Sequence, residues 1–407
     1  MKKKTYALKY MLYPTVKQRQ LLDQAFGCAR FIFNWGLDKK IEAYKKDKTK
    51  LSYFDLAKQL TQLKKQEEYK WLNDVANVVL QQSLRNLETA FSNFFSNQSF
   101  GYPNFKSKAH SKKVAKYIEN VCFDFVLNRI QIPRVGKVRF APNRVFDPTK
   151  DFPKTLTVSR DSCGTYWCTI VIQSNEVCPP KAKVDKSKAI GIDMGLKNLI
   201  TCSDGSTVDN QHFNKKQALK LAHLQRALQR KKVGSNRREQ ARIRLAKCYR
   251  HIRNQREDYL HKLTTSLVRD YDVLCIENLN VKGMMQNHHL AGAIGEMGWF
   301  EFKRQLQYKC EWNGKHLVEV DRFFPSSKTC GECGYKNETL QLSERTWRCP
   351  NCKTVLDRDI NAANNILREG FSILESPSVS GDKDVEGKDN SLPMKRQYSK
   401  PCCTQKG

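Results

Sequence analysis

Cys330-x-x-Cys333 and Cys349-x-x-Cys352 stand fifteen residues apart. Two C-x-x-C knuckles at this spacing bring four thiolates around one tetrahedral Zn²⁺. Gly334, directly after the first pair, suits the tight turn of a knuckle. A closed four-thiolate site is structural, so the metal would hold together a ribbon, residues 325–353, too small to have its own core. The alternative is a redox dithiol, which two matched pairs without a thioredoxin-like context argue against. The remaining cysteines of the fifteen lie mostly singly in apolar stretches, and Cys402 and Cys403 fall near the end of the chain. That is the pattern of a reducing compartment with a metal site, not of a disulfide framework.

The 407 residues carry 72 Lys+Arg against 41 Asp+Glu, a formal charge of +31. Such a charge repels itself in the folded state and is tolerated where a polyanion neutralises it, so nucleic acid is the first partner to consider. The 40% hydrophobic fraction supports real cores, and the length calls for two or three domains. No run of about 18 apolar residues could span a membrane. The opening M-K-K-K-T-Y-A-L-K-Y has a basic flank but no apolar stretch after it, so no secretory signal is expected.

Alternation of Tyr6, Leu8, Tyr10 and Leu12 predicts a strand over 4–12, ended by Pro14. Helical spacing of Leu22, Ala25, Phe26, Ala29 and Phe33 follows. Further helices are predicted over 53–65 and 76–95, their apolar stripes read as core. Between 113 and 177 short alternating runs with turns between them predict a small barrel, which the first strand completes. The helices are then an insertion between its first and second strands. From Ala189 the texture becomes mixed α/β: a hairpin through A-I-G-I-D-M-G and N-L-I-T-C, two basic amphipathic helices broken near Gly234, a strand V-L-C-I-E-N, a helix over 298–312 and a strand over 316–320. Trp299 and Phe300, at the start of that helix, are read as core. Beyond about residue 370 the chain is Ser-, Lys- and Asp-rich, and a disordered tail is expected.

Asp193 interrupts an apolar strand, and burying it would be costly without a partner. Gly191 and Gly195 beside it allow close approach. Glu277 ends a second apolar strand, and Asp359 lies where L-D-R-D-I-N-A-A-N-N-I turns into a helix. A single acid at a strand end is ordinarily a cap or a surface group. Three in one α/β segment are better explained together, as oxygen ligands for Mg²⁺. Two such ions, with Mn²⁺ as the substitute, clamp the attacking and leaving oxygens of a phosphodiester displacement.

The order strand-Asp, strand-Glu, helix-Asp resembles a RuvC-type nuclease of the RNase H fold. With G-I-D-M-G-L-K-N-L, L-H-K-L-T-T-S-L-V-R-D-Y-D-V-L-C-I-E-N-L, the cysteine ribbon and D-R-D-I-N-A-A-N-N-I, the chain resembles the TnpB (OrfB) family of insertion-sequence-encoded RNA-guided nucleases, related to type V CRISPR effectors. The resemblance runs over about residues 4–370. It implies a multidomain α/β protein: a wedge β-barrel (1–13 and 112–183), a helical recognition domain (14–111), a RuvC-like nuclease domain (184–324 and 354–370), the zinc ribbon (325–353) and a tail (371–407). It implies Asp193, Glu277 and Asp359 as the catalytic, Mg²⁺-binding triad, with Asp357 the alternative for the third place.

The resemblance further implies a guide RNA from the end of the mobile element, and target double-stranded DNA cut beside a short element-adjacent motif. The protein is expected in the prokaryotic cytoplasm, at the nucleoid when targeting, as a monomer with one RNA and no membrane partner. Two other readings stay open: an RNA-guided DNA-binding regulator that does not cut, and a protein assisting transposition.

Between Lys215 and Arg256 fifteen Lys and Arg face one acid, Glu239. A charge run is often only a solvated helix face, but this excess is one-sided enough to track a phosphate backbone. Lys215, Lys216, Arg226, Arg230, Lys231, Lys232, Arg237 and Arg238 are the candidate contacts. Tyr53, Asn77 and Gln81 fall where the family reads the adjacent motif. Asn and Gln can pair with adenine, although an ordinary polar helix surface explains these three equally well.

Overall fold

The computed structural model describes residues 2–376 apart from 98, 119–121, 148 and 342. The expected tail lies outside the described residues from 377 onward.

In the N-terminal half, β1 (Lys3–Tyr13) buries Leu8, Tyr10 and Leu12 on one face. Pro14 ends the strand, and Thr15 opens α1 (Val16–Asp47) with a capping box: its hydroxyl accepts from the Gln18 amide, and the Gln18 side chain accepts from the Thr15 amide. Then come α2 (Tyr53–Leu63) and α3 (Asn77–Ser96). After them run β2 (Lys113–Tyr117), β3 (Cys122–Asp124), β4 (Arg129–Ile132), β5 (Gly136–Ala141), β6 (Asp151–Arg160) and β7 (Tyr166–Val177).

These strands form a seven-stranded sheet in the order β2-β6-β7-β1-β5-β4-β3. β1 is central, paired antiparallel with β7 (Leu8↔Ile170) and with β5 (Leu12↔Phe140). The three helices thus leave the sheet from its middle strand and share one core with it. Among the described residues β2 and β3 are the two edges. β2 falls within the strand-like region expected from 113 onward, though it was not picked out as a separate run; it buries only Ala115 and Tyr117.

The second half holds β8 (Ala189–Asp193), β9 (Asn198–Cys202) and β10 (Thr207–Asp209), then α4 (Phe213–Lys216), α5 (Ala218–Gln229) and α6 (Asn236–Asp270). It continues with β11 (Val273–Glu277), α7 (Val281–Met284), α8 (Ala291–Met297), α9 (Trp299–Trp312) and β12 (His316–Val320), and closes with β13 (Thr346–Arg348), β14 (Val355–Asp357) and α10 (Arg358–Glu375). The sheet order is β10-β9-β8-β11-β12, with β8, β11 and β12 parallel and β9 antiparallel to β8.

Strands buried on both sides read as continuous apolar runs, and β11 is such a run. Leu274 and Ile276 pack with Ile190, Ile192 and residues of α6 and α9, whereas Val273 and Cys275 pack with Ile366 of α10. The parallel register Ile276↔Ile192 fixes the parity. Gly191 and Cys275 face α10, and so do Asp193 and Glu277 two residues further along each strand.

α10 lies unusually close. A Cβ on Gly191 would stand 2.1 Å from the Ala363 carbonyl, and one on Gly370 would stand 2.2 Å from Cys275 Sγ. Glycine at both positions is what lets the helix carrying Asp359 reach the two strand acids. Two boundaries differ from expectation. α10 runs five residues beyond the expected start of the tail, because Ile373 and Leu374 still pack against the sheet. The ribbon's second hairpin closes at Asp357 rather than 353, since β14 pairs with β13 (Trp347↔Leu356). Among the described residues no helix is long and apolar enough to cross a membrane.

Candidate active site

Asp193 and Glu277 end adjacent parallel strands, where ligands of open α/β sheets gather. Asp359 enters from the first turn of α10. Asp193 retains some exposed surface, yet the packed protein around it desolvates its carboxyl. That burial, with the charges of Glu277 and Asp359, pushes its pKa up to about 8, against an opposing pull from Arg358 and Arg345. Burial also raises Glu277, partly offset by Ser326, whose hydroxyl donates to Glu277 Oε1 at 2.6 Å. The sheet and α10 therefore bring all three expected acids together. They stand farther apart than the cysteines: among the described residues the cysteine quartet is the group of ligand atoms lying within 4.8 Å of one another.

Asp357, the alternative third acid, has another task. It is the N-cap of α10, and its carboxylate accepts from the amides of Asp359 and Ile360 at 3.0 and 2.9 Å. Asp359 is held by Arg345 of the ribbon, whose Nη1 reaches both carboxylate oxygens at 3.2 and 3.1 Å, and by Arg358 at 3.5 Å. Carboxylates crowded together with incomplete cationic compensation fit a hard divalent ion, for which oxygen is the preferred donor.

Cys330 and Cys352 sulfurs stand 3.6 Å apart, as do those of Cys333 and Cys349. That is far beyond a disulfide bond. It is close to the edge of about 3.8 Å that a tetrahedron with a Zn–S distance of about 2.3 Å requires. Cys330 and Cys349 are buried; Cys333 and Cys352 face outward, and a hydrogen bond from Asn351 brings the Cys333 thiol down to about 6.

Residues not singled out in the sequence tie this ribbon to the acids. Asn361 and Asn365, both buried and one turn apart on α10, clamp its first knuckle. Asn361 donates to the Thr329 carbonyl at 2.7 Å and accepts from the Gly331 amide at 2.8 Å. Asn365 donates to the carbonyls of Ser326 and Thr329 at 2.8 and 2.7 Å. The signal was present in N-A-A-N-N: two amides at the spacing of a buried helical stripe.

Of the basic run, Lys215, Lys216, Arg226, Arg230, Lys231, Lys232 and Arg237 are exposed. Arg238 is not a free cation, because its guanidinium caps the end of α5 through the carbonyls of Leu228 and Lys231 at 3.0 and 2.8 Å. Arg226 donates to the Ala222 carbonyl, and Lys216 sits over the Phe213 ring. Further along α6, Arg242 pairs with Glu239, and Arg250 pairs with Asp161 of the N-terminal half. In α3, Asn77 and Gln81 share a face with Arg85, whose guanidinium lies 4.6 Å from the Tyr53 ring; Asn77 already accepts from Lys64 at 3.0 Å. Trp299 is core, as expected. Phe300 is not: it is 72% exposed, because the helical turn that buries Trp299 and Phe302 points it outward.

Fold and site together define a chain whose strand acids and helix acid meet beside a cysteine ribbon. Known families match it in three places: "OrfB_IS605: Probable transposase" over residues 172–288, "Cas12f1-like, TNB domain" over 299–366, and "HTH_OrfB_IS605: Helix-turn-helix domain" over 1–49. In this chain the described part of that last segment is one strand and one continuous 32-residue helix.

A Streptomyces pristinaespiralis protein bearing the inferred name RNA-guided DNA endonuclease is 38% identical over 369 residues, covering 90% of this chain and 89% of its own. Escherichia coli K12 InsQ, similarly named, is 31% identical over 389 residues, covering 91% and 94%. A cryo-EM structure of a Cas12f1–sgRNA–target DNA complex aligns with a TM-score of 0.49 at 13% identity, over 89% of this chain and 98% of that one. The chain belongs to the TnpB (OrfB) family of RNA-guided nucleases.

Proposed function

We propose that this protein is an RNA-guided DNA endonuclease of a mobile element. It hydrolyses both strands of a guide-matched DNA beside a short element-adjacent motif. The convergence of Asp193, Glu277 and Asp359 carries this reading, since burial, with the charges of Glu277 and Asp359 beside it, pushes the Asp193 carboxyl up to about 8.

Asp193, Glu277 and Asp359 would hold two Mg²⁺, or Mn²⁺ in their place. Bound there, the ions supply Lewis-acid stabilisation of phosphate charge and acidify the attacking water. The remaining tasks fall to the chain. Ser326 fixes one oxygen of Glu277 and leaves the other toward the site. Arg345 orients Asp359 through both of its carboxylate oxygens. Gly191 admits α10 to the sheet face. The cysteine quartet holds a structural Zn²⁺, and the Asn361–Asn365 clamp passes that rigidity to α10.

The five-stranded sheet is the RuvC-like nuclease domain, and the seven-stranded sheet is the wedge. α1–α3 are the recognition insertion, with Tyr53, Asn77 and Gln81 reading the adjacent motif. Lys215, Arg230, Lys231, Lys232 and Arg237 follow the phosphates of the guide–target duplex. The protein works in the prokaryotic cytoplasm, with one guide RNA per chain.

The test is cleavage of a matched plasmid by protein purified with its co-bound RNA. Linear product should require Mg²⁺ and RNA, and Asp193→Ala should abolish it while RNA still copurifies. Cleavage that persists in Asp193→Ala, or that needs no RNA, overturns the proposal. Tight target binding by the unsubstituted protein without any cut identifies a regulator instead.

A further inference from the structure

At the carboxyl ends of β11 and β12 a cleft of about 310 Å³ opens directly beside Glu277. Its floor is apolar, formed by Met194, Leu279 and Trp299. Lys282 and Arg322 stand exposed on its walls, and among the described residues neither has a carboxylate partner. Lys303, also in the lining, is neutralised by Glu319 at 2.6 Å and so adds little net charge. Phe300 lies in the lining with 72% of its surface exposed.

The Trp299 indole N–H is buried and has no acceptor in the protein. That N–H is closed off from the open cleft by the packing around it, so the indole contributes apolar surface to the floor and no donor. An exposed aromatic face and two free cations around a cavity of this size match one ligand chemistry, a nucleotide: a planar base with flanking phosphates. The volume is at the low end for small-ligand sites and cannot admit a duplex.

We propose that this cleft is a subsite for one unpaired nucleotide of the DNA strand being cut. The base stacks on Phe300, and Lys282 and Arg322 hold its phosphates. Stacking there draws the adjoining phosphodiester toward Glu277. The inference rests on the endonuclease reading and adds a positioning role for residues outside the triad.

Two measurements on the RNA-loaded protein test it. In the first, 5-iododeoxyuridine is placed at single positions around the cut in a target bound by the Asp193→Ala protein, and ultraviolet crosslinks are mapped by mass spectrometry. A crosslink to Phe300 is expected from one position only. In the second, single-turnover cleavage is followed in otherwise unsubstituted protein. Loss of one stacked base should slow Phe300→Ala about 5- to 100-fold, with Phe300→Tyr restoring most of the rate. Phe323→Ala, which removes an aromatic 85% exposed and outside the cleft, is the control. The Lys282→Ala/Arg322→Ala protein should need more DNA for half-maximal rate.

Equal rates in Phe300→Ala and the unsubstituted protein, or crosslinks that avoid Phe300 at every position, overturn the subsite and leave the endonuclease standing. No cut by the unsubstituted protein overturns both.

Discussion

Asp193→Asn should make the metal-free protein more stable while destroying its activity. The Asp193 carboxyl is held at about 8 against an ordinary 3.8, and each unit corresponds to about 1.4 kcal/mol. The folded chain therefore binds this proton more tightly than the unfolded chain does. Its contribution to stability is intact below pH about 4 and is lost progressively as pH rises toward about 8.

Asparagine cannot ionise and escapes that loss. Integrating the shift, Asp193→Asn gains at most roughly 5 kcal/mol at pH 8 but under about 2 kcal/mol at pH 5. For a unit the size of the C-terminal half, this is a melting difference of order 5–15 °C at pH 8. Calorimetry of both zinc-loaded proteins in Mg²⁺-free buffer at pH 5 and pH 8 measures it, and the difference between the two proteins cancels other titrations. Adding Mg²⁺ at pH 8 should raise the melting temperature of the unsubstituted protein far more than that of Asp193→Asn. Melting curves that shift in parallel between the two pH values would refute a buried Asp193 carboxyl crowded by the other two acids.

Two further outcomes follow from the packing. Gly191→Ala forces a methyl group to within 2.1 Å of the Ala363 backbone. α10 must move, so we expect a loss of about 2–4 kcal/mol and a cleavage rate reduced more than RNA retention, checked by melting and by plasmid linearisation. Cys349→Ser should lower zinc from one ion per chain to near none by elemental analysis. It should also suppress cleavage, because the knuckle that Asn361 and Asn365 grip will no longer hold its shape.

The opening strand was legible because Leu8, Tyr10 and Leu12 alternate, and α1 because Leu22, Ala25, Phe26, Ala29 and Phe33 recur at helical spacing. β2 lay inside the expected strand-like region but was not separated as a strand of its own, since K-V-A-K-Y buries only two side chains. The acids stood out by type and setting: a carboxylate in an apolar strand demands an explanation. Phe300 was misjudged because two adjacent aromatics at a helix start cannot both face the core, and the sequence does not say which one does. Arg238 looked like its neighbours until α5 was seen to end within its reach.

What the sequence determined by itself was local: which side chains can ligate zinc, which can ligate a hard cation, where strands and helices start, and how large the positive charge must be. These depend on side-chain chemistry and on periods of two or three to four residues. The tertiary structure alone decided that β8 and β11 align in register and that α10 approaches through Gly191 and Gly370. It also set Ser326 on Glu277, and Arg345 on Asp359. Those contacts join residues from 14 positions apart, for Arg345 and Asp359, to 49 for Ser326 and Glu277 and farther still for the strands and α10, and their distances come from sheet register and helix packing rather than from any spacing along the chain.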